Sequence, residues 1–225
     1  MIEQYTLDWY RSRIGRITGS QVGRLMKKGR NDVFGEDAKT YIYQLAAERT
    51  MSPDILMDDT EFEKYLEQVN VETKAMRFGT DMESVARDTY CLLKDVQCEE
   101  VGLCDHFSIE AFSSSPDGLV YTSEGLVALE IKCPVQSTFM RYKTEIRNNE
   151  TLLKVKPEYF YQCMAHMMCT NAIRTDFIVF NPYQEDSIHI VSILPDEAVF
   201  QEMQNRIENA NTVINHITNK FISNG

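Results

Sequence analysis

The segment 113–134, SSSPDGLVYTSEGLVALEIKCP, sets three charged groups into an otherwise apolar hairpin. The runs GLVYT and LVALEIK flank S-E-G, the pattern of two strands joined by a tight turn. With Ser123 and Glu124 as a two-residue loop, Thr122 pairs with Gly125, and Asp117 falls opposite Glu130 to within one residue. Directly opposed residues hold their Cβ atoms about 5 Å apart. Glu130 and Lys132, two apart on one strand, point to the same face. Asp117, Glu130 and Lys132 are therefore expected to converge. Burying such groups is costly unless they neutralise one another or hold a metal.

Two carboxylates at that separation repel, and one takes up a proton unless a cation joins them. A hard, oxygen-binding ion such as Mg²⁺ or Mn²⁺ meets that need. Ile131, between the two strand charges, can lend its backbone carbonyl as a further oxygen ligand. Lys132 beside a metal-bound water would deprotonate or orient it, and such a nucleophile attacks phosphorus. The chemistry these parts serve is metal-assisted phosphodiester hydrolysis. The competing account is a Glu–Lys pair on a strand edge with Asp117 in a P-D-G turn.

The remaining chain suits one domain built round that hairpin. Of 225 residues 43% are hydrophobic and 25% charged, enough for a full core. No linker, repeat or low-complexity tract divides residues 1–225. We read a helical region over about 1–95, a sheet core over about 96–195 and a closing helix over about 196–222. No apolar run is long enough for a transmembrane helix, and MIEQYTLDWYRSRIG lacks the basic-then-apolar order of a secretory signal. The expectation is a cytoplasmic protein without membrane partners. Six cysteines scatter without a C-x-x-C pair, which favours free thiols over a zinc or iron–sulfur site.

A net charge of −11 argues at first sight against a nucleic-acid partner. The charge is uneven, however. Residues 1–30 carry seven cations against Glu3 and Asp8, and residues 141–156 carry five cations against two acids. Local basic patches on an acidic body can grip phosphates; they are equally the composition of a solvated face.

Helical patterns cover ITGSQVGRLMKK, with Thr18 or Ser20 as N-cap, and GEDAKTYIYQLAAERTM, with Tyr41, Leu45 and Ala46 on one face. The acidic stretch 52–72 reads as a solvent-facing helix and loop. Thr80 followed by Glu83 has the spacing of a capping box opening a helix with Met82, Val85, Ala86 and Tyr90 along one stripe. Strands are expected in HFSIEAF, GLVYT, LVALEIK, TDFIVFNP and DSIHIVSIL, with a helix from Pro157 and another closing the chain. That order is an α/β layered fold round a central sheet.

At these residues the chain resembles a family. SPDG followed by LEIKCP resembles the D…E-x-K core of PD-(D/E)XK nucleases, and more narrowly the bacteriophage lambda exonuclease, or YqaJ-type viral recombinase, branch. DWYRSRIGRITGSQV, FGTDMESVARDTY and YFYQCMAHMMCT are similar to three further motifs of that branch, in the same order, spanning residues 8 to about 170.

The resemblance implies a restriction-endonuclease-like core, with a central mixed sheet flanked by helices. It also implies a Mg²⁺-dependent exonuclease, with Mn²⁺ as substitute, that digests one strand of linear duplex DNA 5′→3′ and leaves a 3′ single strand for recombination. Asp117, Glu130 and the Ile131 carbonyl would hold the metal. Lys132 would activate water, Glu83 would support a second metal or its waters, and Gln162 would position the nucleophile. Arg13, Ser20 and Ser115 would form a 5′-phosphate pocket, a guanidinium fork with hydroxyls being suited to a terminal phosphate. Met76 falls where the family has an apolar wedge and Arg30 where it has a groove-tracking arginine. Partners implied are double-stranded DNA ends, two further copies in a ring-shaped homotrimer and a single-strand annealing protein, in a phage-infected cell or its equivalent.

Bland readings stand beside these roles: helix capping for Glu83 and Ser20, an exposed helix face for Gln162, core for Met76, solvated cations for Arg13 and Arg30. Trp9, the lone tryptophan, reads as a core anchor or a stacking platform. The chain departs from the family pattern after Lys132-Cys133-Pro134. Thr138 stands near the place of a further basic residue, and Arg141 is the nearest cation. Two other classes remain open on sequence, a PD-(D/E)XK endonuclease for restriction or branch resolution and a non-catalytic DNA-end-binding protein.

Overall fold

The computed structural model describes residues 2–29, 32–69 and 74–223. The N-terminal third is helical: α1 (Leu7–Arg13), a short β1 (Ile17–Thr18), α2 (Gly19–Leu25), α3 (Glu36–Arg49), α4 (Pro53–Met57), α5 (Asp59–Val69) and α6 (Lys74–Lys94). Thr6 caps α1, its side chain accepting from Trp9 N–H. Thr18 stands at the N-cap of α2 without a side-chain capping bond, and Ser20 lies inside that helix. On α3, Tyr41, Leu45 and Ala46 are buried together, as their spacing predicts.

Two expectations for this region fail for physical reasons, and a third holds with one addition. The acidic stretch is solvent-facing helix over its described residues 52–69, as expected, but it is anchored at one point. Phe62 of α5 is fully buried, the Arg11 guanidinium lies 4.9 Å from its ring centroid, and Arg11 also pairs with Asp59, so this acidic segment is fastened to α1. Helix α6 starts at Lys74, which makes Thr80 and Glu83 mid-helix residues and removes the capping box. The helix runs through Gly79, since one glycine costs a helix only about 1 kcal/mol. Val85 is exposed, while Ala86 and Tyr90 face the core.

Next come β2 (Cys104–Asp105), β3 (Phe112–Ser114), β4 (Gly118–Thr122) and β5 (Gly125–Lys132). Of HFSIEAF only Phe112, the first residue of β3, is in a strand. His106 Nδ1 accepts from the N–H groups of Ser108 and Ile109, closing a turn, and Ala111 has φ +53°. The alternation of that segment is overridden by local side-chain hydrogen bonding.

The hairpin forms in the predicted register, Thr122 opposite Gly125 and Gly118 opposite Leu129. Thr122 Oγ1 accepts from Glu124 and Gly125 N–H, and Gly125 has φ +145°. A Cβ at Gly125 would lie 2.7 Å from Ile173, so this turn demands glycine.

From β5 the chain runs through α7 (Gln136–Glu145), α8 (Asn149–Val155) and α9 (Pro157–Thr170) to β6 (Arg174–Phe180), then β7 (Ile188–Ile193) and α10 (Glu197–Ser223). Strands β4-β5-β6-β7 form a mixed sheet in which only β5 and β6 are parallel, as a helical crossover requires. A smaller sheet has order β1-β3-β2. One face of the mixed sheet packs Ala128, Phe177 and Val179 toward α9; the other packs Val127, Leu129 and Ile131 toward Ala86 and Tyr90 of α6. Helices α2 and α10 cover α9 and α3. Glu130 has the parity of Ala128, so it points into the α9 layer. All six cysteines are free, and no described helix is long and apolar enough to cross a membrane.

Candidate active site

Asp117 sits one residue ahead of β4, and its N–H still donates to Leu129 O at 3.0 Å, extending the ladder toward Glu130. Its Oδ2 accepts from Ile131 N–H at 2.5 Å, and its carbonyl accepts from Arg87 Nε at 2.9 Å. Glu130 is fully buried. Its Oε2 lies 2.6 Å from His166 Nε2 on α9. Its Oε1 is in ion-pair contact with the Lys132 ammonium but receives no well-directed hydrogen bond. The three hairpin charges thus converge, and the strand-edge alternative fails because Glu130 is wholly inside.

The electrostatics follow from burial and crowding. Burial, then repulsion from Glu130, pushes the Asp117 carboxyl well above the usual range. Burial also raises Glu130, but the Lys132 charge and the His166 hydrogen bond outweigh it and hold this carboxyl below its ordinary value. For Lys132, burial acts downward, while the charges of Glu130 and Asp117 prevail and keep the ammonium well above the usual lysine range. Lys132 also lies 5.1 Å from the Tyr159 ring centroid.

Asp117, Ile131 and Lys132 line a cleft of about 560 Å³ together with Glu83, Gln162 and the residues of the sequence-predicted phosphate pocket. Glu83, freed of any capping role by its mid-helix position, accepts from Tyr5 Oη at 3.0 and 3.2 Å. Burial is the main cause that raises its carboxyl. Gln162 lies half-buried on the cleft side of α9, not on an outward face.

Arg13 stands apart from the other described N-terminal cations. Arg11 pairs with Asp8 and Asp59, Arg16 with Asp105, Arg24 and Lys27 with Asp37, and Lys28 with Glu202. Arg13 donates instead to Ser20 Oγ at 3.2 Å and Ser115 Oγ at 3.4 Å, with its guanidinium 4.1 Å from the Trp9 ring centroid. Trp9 is a buried anchor whose Nε1–H also reaches Ser115 Oγ, at 3.3 Å. Burial lowers the Arg13 pKa, the condition of a cation short of counter-charge. In the basic stretch 141–156, Lys156 pairs with Glu158 and Lys143 with Asp186. Arg141 bonds Glu145 along α7 at 3.1 Å and does not line the cleft, so it does not replace the missing family cation. Arg30 lies outside the described residues, as does the side chain of Met76 on α6.

Two neighbours escaped the sequence reading. His166 lies four residues after Gln162 on α9, a same-face spacing that was available as a signal. Tyr5 reaches Glu83 from a left-handed backbone, φ +65°, that no pattern announced.

The donor set fits a magnesium-like ion. Among the described residues no three His, Cys, Asp or Glu side chains form a ready-made cage. Mg²⁺ requires none, since it keeps several waters and binds through one or two carboxylates plus substrate phosphate. Glu130 Oε1, a buried carboxylate oxygen held only by the Lys132 ion pair and by no well-directed hydrogen bond, is a suitable ligand atom.

The fold is shared with solved nucleases. An alkaline exonuclease, LHK-Exo from Laribacter hongkongensis, matches at 26% identity with a TM-score of 0.74, covering 98% of this chain and all of the other. The same enzyme in complex with dAMP matches with equal figures. A phage-related exonuclease from Haemophilus somnus 129PT shares the fold at 13% identity and a TM-score of 0.65, over 92% of this chain and 96% of its own. No curated protein matches in sequence. Fold and matches together define a nuclease of the lambda-exonuclease type, a deoxyribonuclease. Residues 8–173 match the YqaJ-like viral recombinase domain, and the chain belongs to that family.

Proposed function

We propose that this chain is a metal-dependent exonuclease that digests one strand of linear duplex DNA in the 5′→3′ direction and leaves a 3′ single strand for recombination. The observation that carries this reading is one cleft lined by Asp117, Glu83 and Lys132, over buried Glu130, and by an arginine joined to two serine hydroxyls. Asp117, Glu130 and the Ile131 carbonyl would hold Mg²⁺ or Mn²⁺, with Glu83 on its waters; the ion supplies Lewis-acid charge at the scissile phosphate. Lys132, kept as an ammonium by its carboxylate neighbours, orients the attacking water and balances charge that develops on the phosphoryl oxygens. Gln162 positions the water from the α9 side.

Arg13, Ser20 and Ser115 receive the 5′-phosphate, which sets the distance from the strand end to the cleaved bond. In this reading the 225 residues act as one domain. The family's homotrimeric ring round the duplex and its single-strand annealing partner are part of the same proposal.

The test is a time course on 5′-phosphorylated linear duplex beside closed circular DNA, with Mg²⁺ and with EDTA. Loss of the linear DNA alone, only with metal and with single-stranded product, is the expected result. Cleavage of the circle would make the protein an endonuclease. Binding of ends without cleavage of either would make it an end-binding protein.

The phosphate pocket has its own test. A charge-assisted hydrogen bond contributes about 1.5–3 kcal/mol, so Arg13→Ala should lower kcat/KM on 5′-phosphorylated ends roughly 10- to 100-fold. It should change digestion of 5′-hydroxyl ends little. Equal losses on both ends would remove Arg13 from phosphate recognition.

A further inference from the structure

We propose that His166 is a positioning residue for Glu130, held in its working orientation by Ser114; this rests on the metal-dependent reading above. His166 is fully buried on α9, and both ring nitrogens are engaged. Nδ1 lies 2.7 Å from Ser114 Oγ, and Nε2 lies 2.6 Å from Glu130 Oε2. A serine hydroxyl can donate to Nδ1, which leaves Nε2–H for the acceptor-only carboxylate. Oε2 is thereby fixed by α9, and Oε1 is turned toward the Lys132 ammonium. The imidazole decides which oxygen of Glu130 faces the cation.

Ser114 is itself held from two sides. It lies on β3, paired to Cys104 of β2, and α2 begins against it at Gly19. A Cβ added at Gly19 would stand 2.1 Å from Ser114 Oγ and 3.2 Å from Ala165 Cβ. The glycine at the start of α2 therefore leaves room for the hydroxyl that orients His166. The carboxylate that this buried histidine fixes is the proposed ligand, and partners of ligands commonly affect metal affinity 10- to 100-fold.

The experiment titrates Mg²⁺ against melting temperature, and against digestion of linear duplex, for the wild type, His166→Leu, His166→Gln and Ser114→Ala. His166→Leu should raise the Mg²⁺ concentration for half-maximal stabilisation by about 10- to 100-fold. His166→Gln, whose amide N–H can reach Oε2, should recover most of that loss, and Ser114→Ala should shift the midpoint only a few-fold. A folded His166→Leu protein with the wild-type midpoint overturns the proposal. Where His166→Leu does not fold, Ser114→Ala decides, an unshifted midpoint overturning it and a raised one supporting it. A wild type that responds to Mg²⁺ in neither readout overturns the metal reading itself, a failure distinct from an unaltered variant beside a responsive wild type.

Discussion

Asp117→Asn is expected to abolish digestion of linear duplex, by about 10³-fold or more in kcat, without lowering the metal-free melting temperature. The loss follows from removing one of two carboxylates that would hold the ion, an effect of several kcal/mol on transition-state charge; about 10³-fold corresponds to roughly 4 kcal/mol. The preserved stability follows from the site's electrostatics. Asparagine keeps an oxygen to accept the Ile131 N–H.

Burial, then the Glu130 charge, raises the folded-state pKa of Asp117, so its stabilising contribution is complete below the ordinary aspartate range. It is lost as pH rises through the folded-state value. The asparagine variant does not suffer that loss, and its melting temperature should draw level with or pass the wild type as pH increases. For the wild type, Mg²⁺ must displace the retained proton, so the metal-induced gain should grow with pH over the same window. Thermal melts with and without Mg²⁺ at several pH values, beside a nuclease time course, check both parts. A variant retaining a tenth of wild-type activity would take Asp117 out of the metal site.

Lys132→Met should be equally inactive, about 10³-fold down, but with the opposite effect on the fold. The ammonium is the ion-pair partner of Glu130, which is fully buried. Removing one member of a buried pair leaves an uncompensated charge at a cost of about 3–5 kcal/mol. Glu130 keeps its His166 bond, which favours the lower figure, and about 3 kcal/mol lowers the melting temperature of a chain this size by roughly 6–12 °C. Added Mg²⁺ should recover part of that loss in Lys132→Met and should leave the melting temperature of Asp117→Asn unchanged. Methionine at 132 with unchanged activity would exclude any chemical role for the lysine, and unchanged melting would mean that Glu130 finds another counter-charge.

The hairpin was legible because strand parity and a two-residue loop are local rules. Residues 117, 130 and 132 converge whatever packs around them, and the register appears as the loop predicts. The helices with long apolar stripes were legible for the same reason. HFSIEAF and the start of α6 were misread where one side-chain turn at His106 and one tolerated glycine at Gly79 outweighed the local pattern. Apart from Arg11 with Asp8, the pairing of the N-terminal cations had no local signature either. Their partners, such as Asp59, Asp105 and Glu202, are brought close only by the fold.

By itself, then, the order of residues determined the two strands, their register and the three charges at one end of the hairpin. The tertiary structure decided that Glu130 is wholly buried, that His166 rather than solvent takes up its second oxygen, and that Arg13 meets Ser115 across a separation of 102 residues. Contacts at that range depend on how α1, α2 and α9 pack against the sheets. Helix and strand periodicity specify which face an element buries, but not which element it is buried against.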